Sequence, residues 1–71
     1  MQYLNLIGEM AKKKVKNESI AQELGIHRNS VYNKLNGESS FSVDEAIRIR
    51  DTFFPGYDIK YLFQTDEEEE R

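Results

Sequence analysis

The apolar residues of this chain recur every three or four positions and never alternate, and the pattern is broken at Gly25, Asn36-Gly37 and Pro55-Gly56. Such spacing marks helices with one buried face, and breaks that close together keep every helix short. Leu6, Ile7 and Met10, with Leu4, give one face of a first helix over roughly residues 3–14. Ile20, Ala21 and Leu24 predict a second helix over about 17–24, ending at Gly25, where a positive φ is often needed. Val31 and Leu35 predict a third over about 28–36, stopped by Asn36-Gly37 with Gly37 as a left-handed cap. The fourth opens on Ser42-Val43-Asp44-Glu45, a capping box: the Ser42 hydroxyl accepts from the Glu45 amide and the Glu45 carboxylate accepts from the Ser42 amide. Its two acids also suit the positive end of the helix dipole. Phe41 is placed to staple onto Ala46 or its neighbours, and the helix runs to about Phe54. Asp58 is placed to cap a short fifth helix through Ile59, Leu62 and Phe63.

The fold class expected is therefore all-α, five short helices in a compact domain over residues 1–65, followed by an acidic tail over 66–71 read as disordered, solvating sequence. The core is expected from Leu6, Met10, Val15, Ile20, Ala21, Leu24, Ile26, Val31, Leu35, Val43, Ala46, Ile49, Phe53 and Leu62. A chain of 71 residues buries only roughly 60 % of its unfolded surface, which leaves little room for a catalytic cleft.

Charge is unevenly placed. Residues 66–71, DEEEER, carry a net −4, while residues 1–65 hold nine Lys/Arg against eight Asp/Glu. The body is near neutral with a basic corner at Lys12, Lys13, Lys14 and Lys16, and a binding partner responds to that local field rather than to the formal total of −3. No cysteine is present, so disulfides and thiolate metal sites are excluded, and a reducing compartment, the cytoplasm, fits. Apolar runs fall far short of the roughly 20 residues that span a bilayer. In MQYLNLIGEMAKKK the basic cluster follows the apolar stretch, the reverse of a signal peptide, so the chain is expected to be soluble and unprocessed.

The functional signal lies in NESIAQELGIHRNSVYNKLN, residues 17–36. Two short helices flank the turn Gly25-Ile26-His27. Ala21 is small where they would cross, and Ile20, Leu24, Ile26 and Val31 are available to fill the angle between them. A helix-turn-helix needs these features. The outer face of the third helix is polar: Arg28, Asn29, Tyr32 and Asn33. A core has no use for these side chains, whereas Arg can donate two hydrogen bonds to guanine and Asn can pair with adenine in the major groove.

With IAQELGI, the V-x-x-x-L-N-G ending, the F-S-V-D-E-A opening of the fourth helix and the closing FPGYDIKYLF, the chain resembles the lambda-repressor-like, Cro/repressor (XRE) family of phage and bacterial transcriptional regulators over about residues 3–64. The resemblance implies that the third helix enters the DNA major groove N-terminus first, with Arg28, Asn29, Tyr32 and Asn33 contacting bases. It implies phosphate contacts from Asn17 and Asn36, to which His27, Lys34, Ser39 and Ser40 are added as candidates. Three positions depart from the family pattern: Asn17 stands where Gln is usual, Lys16 where Ser or Thr precedes it, and His27 where Ser or Thr commonly caps the third helix.

Plainer readings stand beside these. The polar stripe on the third helix also fits a solvated face, His27 a surface residue or cap, and the lysines at 12–16 a solvated helix end. Phe54, Tyr57, Tyr61 and Phe63 fit either a satellite core or a self-association surface. The family commonly dimerises through this region, and two half-sites on DNA call for a two-fold protein. The expected function is that of a small repressor-like regulator: a homodimer, at least on DNA, covering a pseudo-palindromic double-stranded operator. The alternative is a protein-interaction module of the same fold, such as an antitoxin or anti-repressor partner. An enzyme is not expected, because one His and no Cys leave no nucleophile–base pairing. No metal, cofactor, membrane or small-molecule ligand is expected.

Overall fold

The computed structural model describes residues 1–66. Five helices follow one another: α1 (Leu4–Lys13), α2 (Asn17–Leu24), α3 (Arg28–Leu35), α4 (Val43–Phe53) and α5 (Ile59–Leu62). Among the described residues there is no strand, and no helix is long and apolar enough to cross a membrane. Residues 67–71, most of the acidic tail, lie outside the described residues. Asp66 does not: its amide donates to the Gln2 carbonyl at 3.0 Å and its Oδ1 accepts from the Gln2 amide at 2.9 Å.

The helix ends explain why the elements are this short. α1, α2 and α3 each finish on a residue with positive φ: Lys14 (58°), Gly25 (70°) and Gly37 (88°). In each case the next amide reaches back to a carbonyl in the last turn: Val15 to Met10 at 2.9 Å, Ile26 to Ala21 at 3.0 Å and Glu38 to Asn33 at 2.9 Å. This closure satisfies carbonyls that a helix terminus otherwise leaves unpaired. Glycine makes it without strain at 25 and 37; Lys14 adopts the same conformation with a side chain, which no local pattern in the sequence announced. The capping box of α4 is formed as expected, with Ser42 Oγ accepting from the Glu45 amide at 3.1 Å and Glu45 Oε1 accepting from the Ser42 amide at 2.9 Å. Asp58 Oδ2 accepts from the Tyr61 amide at 3.2 Å and caps the single turn of α5.

The core gathers Tyr3, Leu6, Met10, Ile20, Ala21, Val31, Leu35, Ile49, Phe54 and Leu62, with Ala46 also buried. Val15, Leu24, Ile26 and Phe53 pack against it as partly buried residues. Val43 does not join them and is 74 % exposed. At 3.6 residues per turn, Ala46, Ile49 and Phe53 fall within about 60° of one another, while Val43 lies about 90° from their mean direction. Of the aromatic pair at 53–54, both meet the core, but the more deeply buried is Phe54. The helix stops at Phe53, and Phe54, at φ −134° and ψ 55°, turns the chain inward, so that Phe54 and not Phe53 is fully buried. Tyr3 was missed as a core residue. Its ring meets Phe41 and Phe63 edge-on at 5.2 and 6.0 Å, and its hydroxyl accepts from the Phe41 amide at 3.3 Å. Phe41 packs edge-on against both Tyr3 and Phe63, the latter at 5.5 Å.

Candidate nucleic-acid interface

α3 owes its placement to two side chains. Val31 and Leu35 are buried against α1 and α2, which fixes which way the helix faces. Arg28, Asn29, Tyr32 and Asn33, at relative positions 0, 1, 4 and 5, are all exposed and form one stripe over two turns. None of the four side chains has a hydrogen bond or ion pair among the described residues. The stripe holds one permanent cation, two carboxamides and a phenol, which together offer both donors and acceptors.

The polar residues at its edges behave differently. His27, the N-cap, turns its ring back so that Nδ1 accepts the Asn29 amide at 3.1 Å. Lys34 Nζ donates to the Ser40 carbonyl at 3.0 Å, lies 3.5 Å from Glu45 Oε1 and sits 5.8 Å from the centre of the Phe41 ring. Asn36 Nδ2 donates to the Tyr32 carbonyl at 3.0 Å, and Asn36 Oδ1 accepts from Gln2 Nε2 at 3.3 Å. The Tyr3 amide donates to the Leu35 carbonyl at 3.2 Å. Of the residues expected at phosphates, Lys34 and Asn36 are thus engaged within the chain, holding the end of α3 and the loop after it. Ser39 and Ser40 are exposed in that loop, and Asn17 is half-buried at the start of α2.

No family model, curated protein or solved structure matches the chain. The site therefore rests on its own geometry. An open groove of about 430 Å³ at the corner between α2 and α3 is lined by Glu18, Ala21 and Gln22 of α2, by Gly25, Ile26 and His27 of the turn, and by Arg28 of α3. It adjoins the stripe at Arg28. Among the described cations, Lys14 and Lys16 are exposed and unpaired, whereas Lys12 lies 3.6 Å from Glu9 Oε2 and Lys13 sits 4.8 Å from the centre of the Tyr57 ring.

The aromatic residues offered as a self-association surface divide. Phe54 is fully buried and is corrected to core, because the turn after α4 drives it under Lys13 and against Tyr57, whose ring centre is 5.4 Å away. Tyr57 and Phe63 are half-buried, and Tyr61 alone is well exposed, at 41 %. The two tyrosine hydroxyls converge on buried Glu9: Tyr61 donates to Oε2 at 2.9 Å and Tyr57 to Oε1 at 3.3 Å. The Tyr61 hydroxyl, then the charge of Lys12 and the Tyr57 hydroxyl, hold the Glu9 carboxyl below its usual range against the opposing effect of burial. This cluster ties α1 to the chain around α5. Sequence reasoning missed it, along with Gln2 and Asp66, because contacts between residues some 50 or more positions apart leave no periodic signal.

Proposed function

We propose that this protein binds double-stranded DNA in a sequence-specific manner, as a small repressor-like transcriptional regulator. In this reading α2, the turn 25–27 and α3 act as a helix-turn-helix. The observation that carries it is the contrast along α3: Arg28, Asn29, Tyr32 and Asn33 are exposed and unpartnered, while Lys34 and Asn36 beside them are held by the chain itself. Polar side chains left free on a firmly held helix are what a base reader requires. The resemblance of residues 3–64 to the Cro/repressor family points the same way.

The mechanism follows from the donor sets. α3 enters the major groove with its N-terminus leading. Arg28 donates two hydrogen bonds to guanine O6 and N7, and Asn29 or Asn33 pairs with adenine N6 and N7. Tyr32 meets a thymine methyl or a phosphate. Lys14 and Lys16, exposed before α2, neutralise phosphates on the flank and set register without reading sequence. Two copies on a pseudo-palindromic site would occlude it from polymerase. No covalent chemistry is involved.

The test is selection of duplexes from a random pool by the purified protein, with Arg28→Ala in parallel. An enriched palindrome is expected. Arg28→Ala should lower affinity for it about 5- to 150-fold and relax one base position in each half-site. A folded protein that enriches nothing at low salt would refute the reading. Attention would then turn to Val43 and Ile47, exposed apolar residues one turn apart on α4, which favour a protein-interaction module of the same fold.

A further inference from the structure

Glu67, Glu68, Glu69 and Glu70 follow Asp66 without a break, and only Arg71 beside them is basic. Where this charge acts is set by where Asp66 is held. Asp66 and Gln2 exchange two hydrogen bonds: the Asp66 amide donates to the Gln2 carbonyl at 3.0 Å, and Asp66 Oδ1 accepts from the Gln2 amide at 2.9 Å. The side chain of the same Gln2 reaches the end of α3, where Nε2 donates to Asn36 Oδ1 at 3.3 Å. Its neighbours run across that end as well. The Tyr3 amide donates to the Leu35 carbonyl at 3.2 Å, and a Cβ at Gly37 would collide with the Met1 carbonyl. One residue, Gln2, therefore joins the root of the acidic run to the last turn of α3.

That join is short on the scale of screening. A single glutamine spans it, so the Asp66 carboxylate lies within roughly 12 Å of the Asn36 side chain, close to the Debye length of about 10 Å at 0.1 M salt. Tyr32 and Asn33 of the stripe lie about one helical turn before Asn36, or about 5 Å. We propose that Glu67–Glu70 act as an electrostatic gate at the end of α3, repelling DNA phosphate that approaches the stripe, an inference that rests on the DNA reading above. The attraction they oppose is weak. Residues 1–65 hold nine Lys/Arg against eight Asp/Glu, and Lys34, the cation at that end of α3, is already paired with Glu45. Attraction to phosphate supplies essentially all non-specific binding, so the gate keeps the protein off DNA to which base contacts add nothing. Repulsion of the backbone reads no sequence, and it lowers specific and non-specific affinity by the same factor.

The test compares three full-length proteins: the wild type, a variant combining Glu67→Gln, Glu68→Gln, Glu69→Gln and Glu70→Gln, and a variant with about ten Gly/Ser residues inserted between Asp66 and Glu67. The insertion keeps every charge and moves it away from Asp66. Affinities for the selected duplex and for a scrambled duplex of equal length are measured at rising salt. The four glutamines should raise both affinities about tenfold at low salt, the low end of what a local field does to association, and leave their ratio unchanged. The gain should fade as added salt shortens the Debye length below about 10 Å. The insertion should shift both affinities in the same direction. A second readout needs no DNA. The chain has no cysteine, so Arg71→Cys takes a single spin label. In the free protein that label should broaden the amides of Asn33 and Asn36 more than those of Glu18 and Gln22, which lie by the groove at the other end of α3, and the insertion should reduce the difference. Unchanged affinity for the scrambled duplex in the glutamine variant, an insertion variant that binds like the wild type, or equal broadening at both ends of α3 would each overturn the proposal. An enriched palindrome without any effect of the glutamates refutes the gate alone, whereas a failure of all three proteins to enrich any duplex refutes the DNA reading and the gate with it.

Discussion

Lys34 lies beside the proposed reading face and has the charge of a phosphate contact, yet its contacts predict a structural role. In Lys34→Met the apolar stem is kept and the ammonium removed. Three interactions go with it. The hydrogen bond to the Ser40 carbonyl contributes about 0.5–1.5 kcal/mol net, since water can replace the donor at an exposed loop. The ion pair to Glu45 at 3.5 Å, with side chains 18 % and 24 % exposed, adds about 0.2–1 kcal/mol. The ring contact at 5.8 Å adds about 0.5 kcal/mol. Overlap between them brings the expected loss to about 1.5 kcal/mol, or about 6–12 °C in Tm for a domain of this size. The assay pairs thermal unfolding with the salt dependence of DNA binding. Each phosphate neutralised contributes about −0.9 to the log–log slope, and Lys34→Met should leave that slope unchanged. Lys16→Met, which removes an exposed cation without a partner among the described residues, should do the opposite: Tm nearly constant and the slope shallower by about 0.9. A Lys34→Met variant with wild-type Tm and a slope shallower by about 0.9 would refute the reasoning, for it would mean that Lys34 leaves Ser40 and Glu45 to meet DNA.

Two further perturbations probe the frame. Phe54→Ala should cost about 3–5 kcal/mol against a total of about 4–11 kcal/mol for 71 residues, so chemical denaturation should find it marginal or unfolded at 25 °C; a stable Phe54→Ala protein that had only lost self-association would return Phe54 to the surface. For Glu9→Gln the pH dependence carries the test. The folded carboxyl titrates below its ordinary value near 4.5, so its stabilisation is complete above the unfolded pKa and is lost as pH falls through the lower folded value. The stability gap between wild type and Glu9→Gln should be constant above about pH 6 and close progressively below about pH 4.5, and a gap that widened on acidification would overturn the assignment.

What could be read in the sequence was whatever is decided within a few residues. Gly25, Asn36-Gly37 and Ser42–Glu45 set helix ends by local hydrogen bonding, and α2, α3 and α4 came within a residue or so of their observed limits. Val31 and Leu35 gave the phase of α3, which was enough to send Arg28, Asn29, Tyr32 and Asn33 to the opposite, exposed side. Phase is also where the reading failed. Where α4 stops decides which of Phe53 and Phe54 turns inward, and one residue of difference exchanges them. Val43 matches the spacing of Ala46 but sits a quarter-turn off the inward direction of its helix. Tyr3, just before α1, belongs to no periodic set and is placed only by Phe41 and Phe63. The engagement of Lys34 with Ser40 and of Asn36 with Gln2 was equally hidden. Residue type shows that a side chain can donate; it does not show that the chain will return to accept.

That engagement bears on how the candidate interface would bind. An isolated helix of eight residues does not hold together in water, and α3 carries only two buried residues to anchor it. Its shape is imposed from outside. His27 ties the first turn, the Glu38 amide closes the last one, and the Tyr3 amide, Gln2 and Lys34 secure the far end to the rest of the chain. Held at both ends, the backbone of α3 has little left to lose when a partner arrives. The ordering cost falls mainly on Arg28, Asn29, Tyr32 and Asn33, at about 0.5–1.5 kcal/mol for each side chain immobilised, or about 2–6 kcal/mol in all. One or two good bidentate base contacts at about 1–3 kcal/mol each are of the same size. Discrimination by this face should therefore rest on geometry at Arg28 and Asn29, the two residues nearest the capped end of the helix. A register error of a single base pair would leave the ordering cost unmet, while contacts from Lys14 and Lys16 to phosphate would survive it.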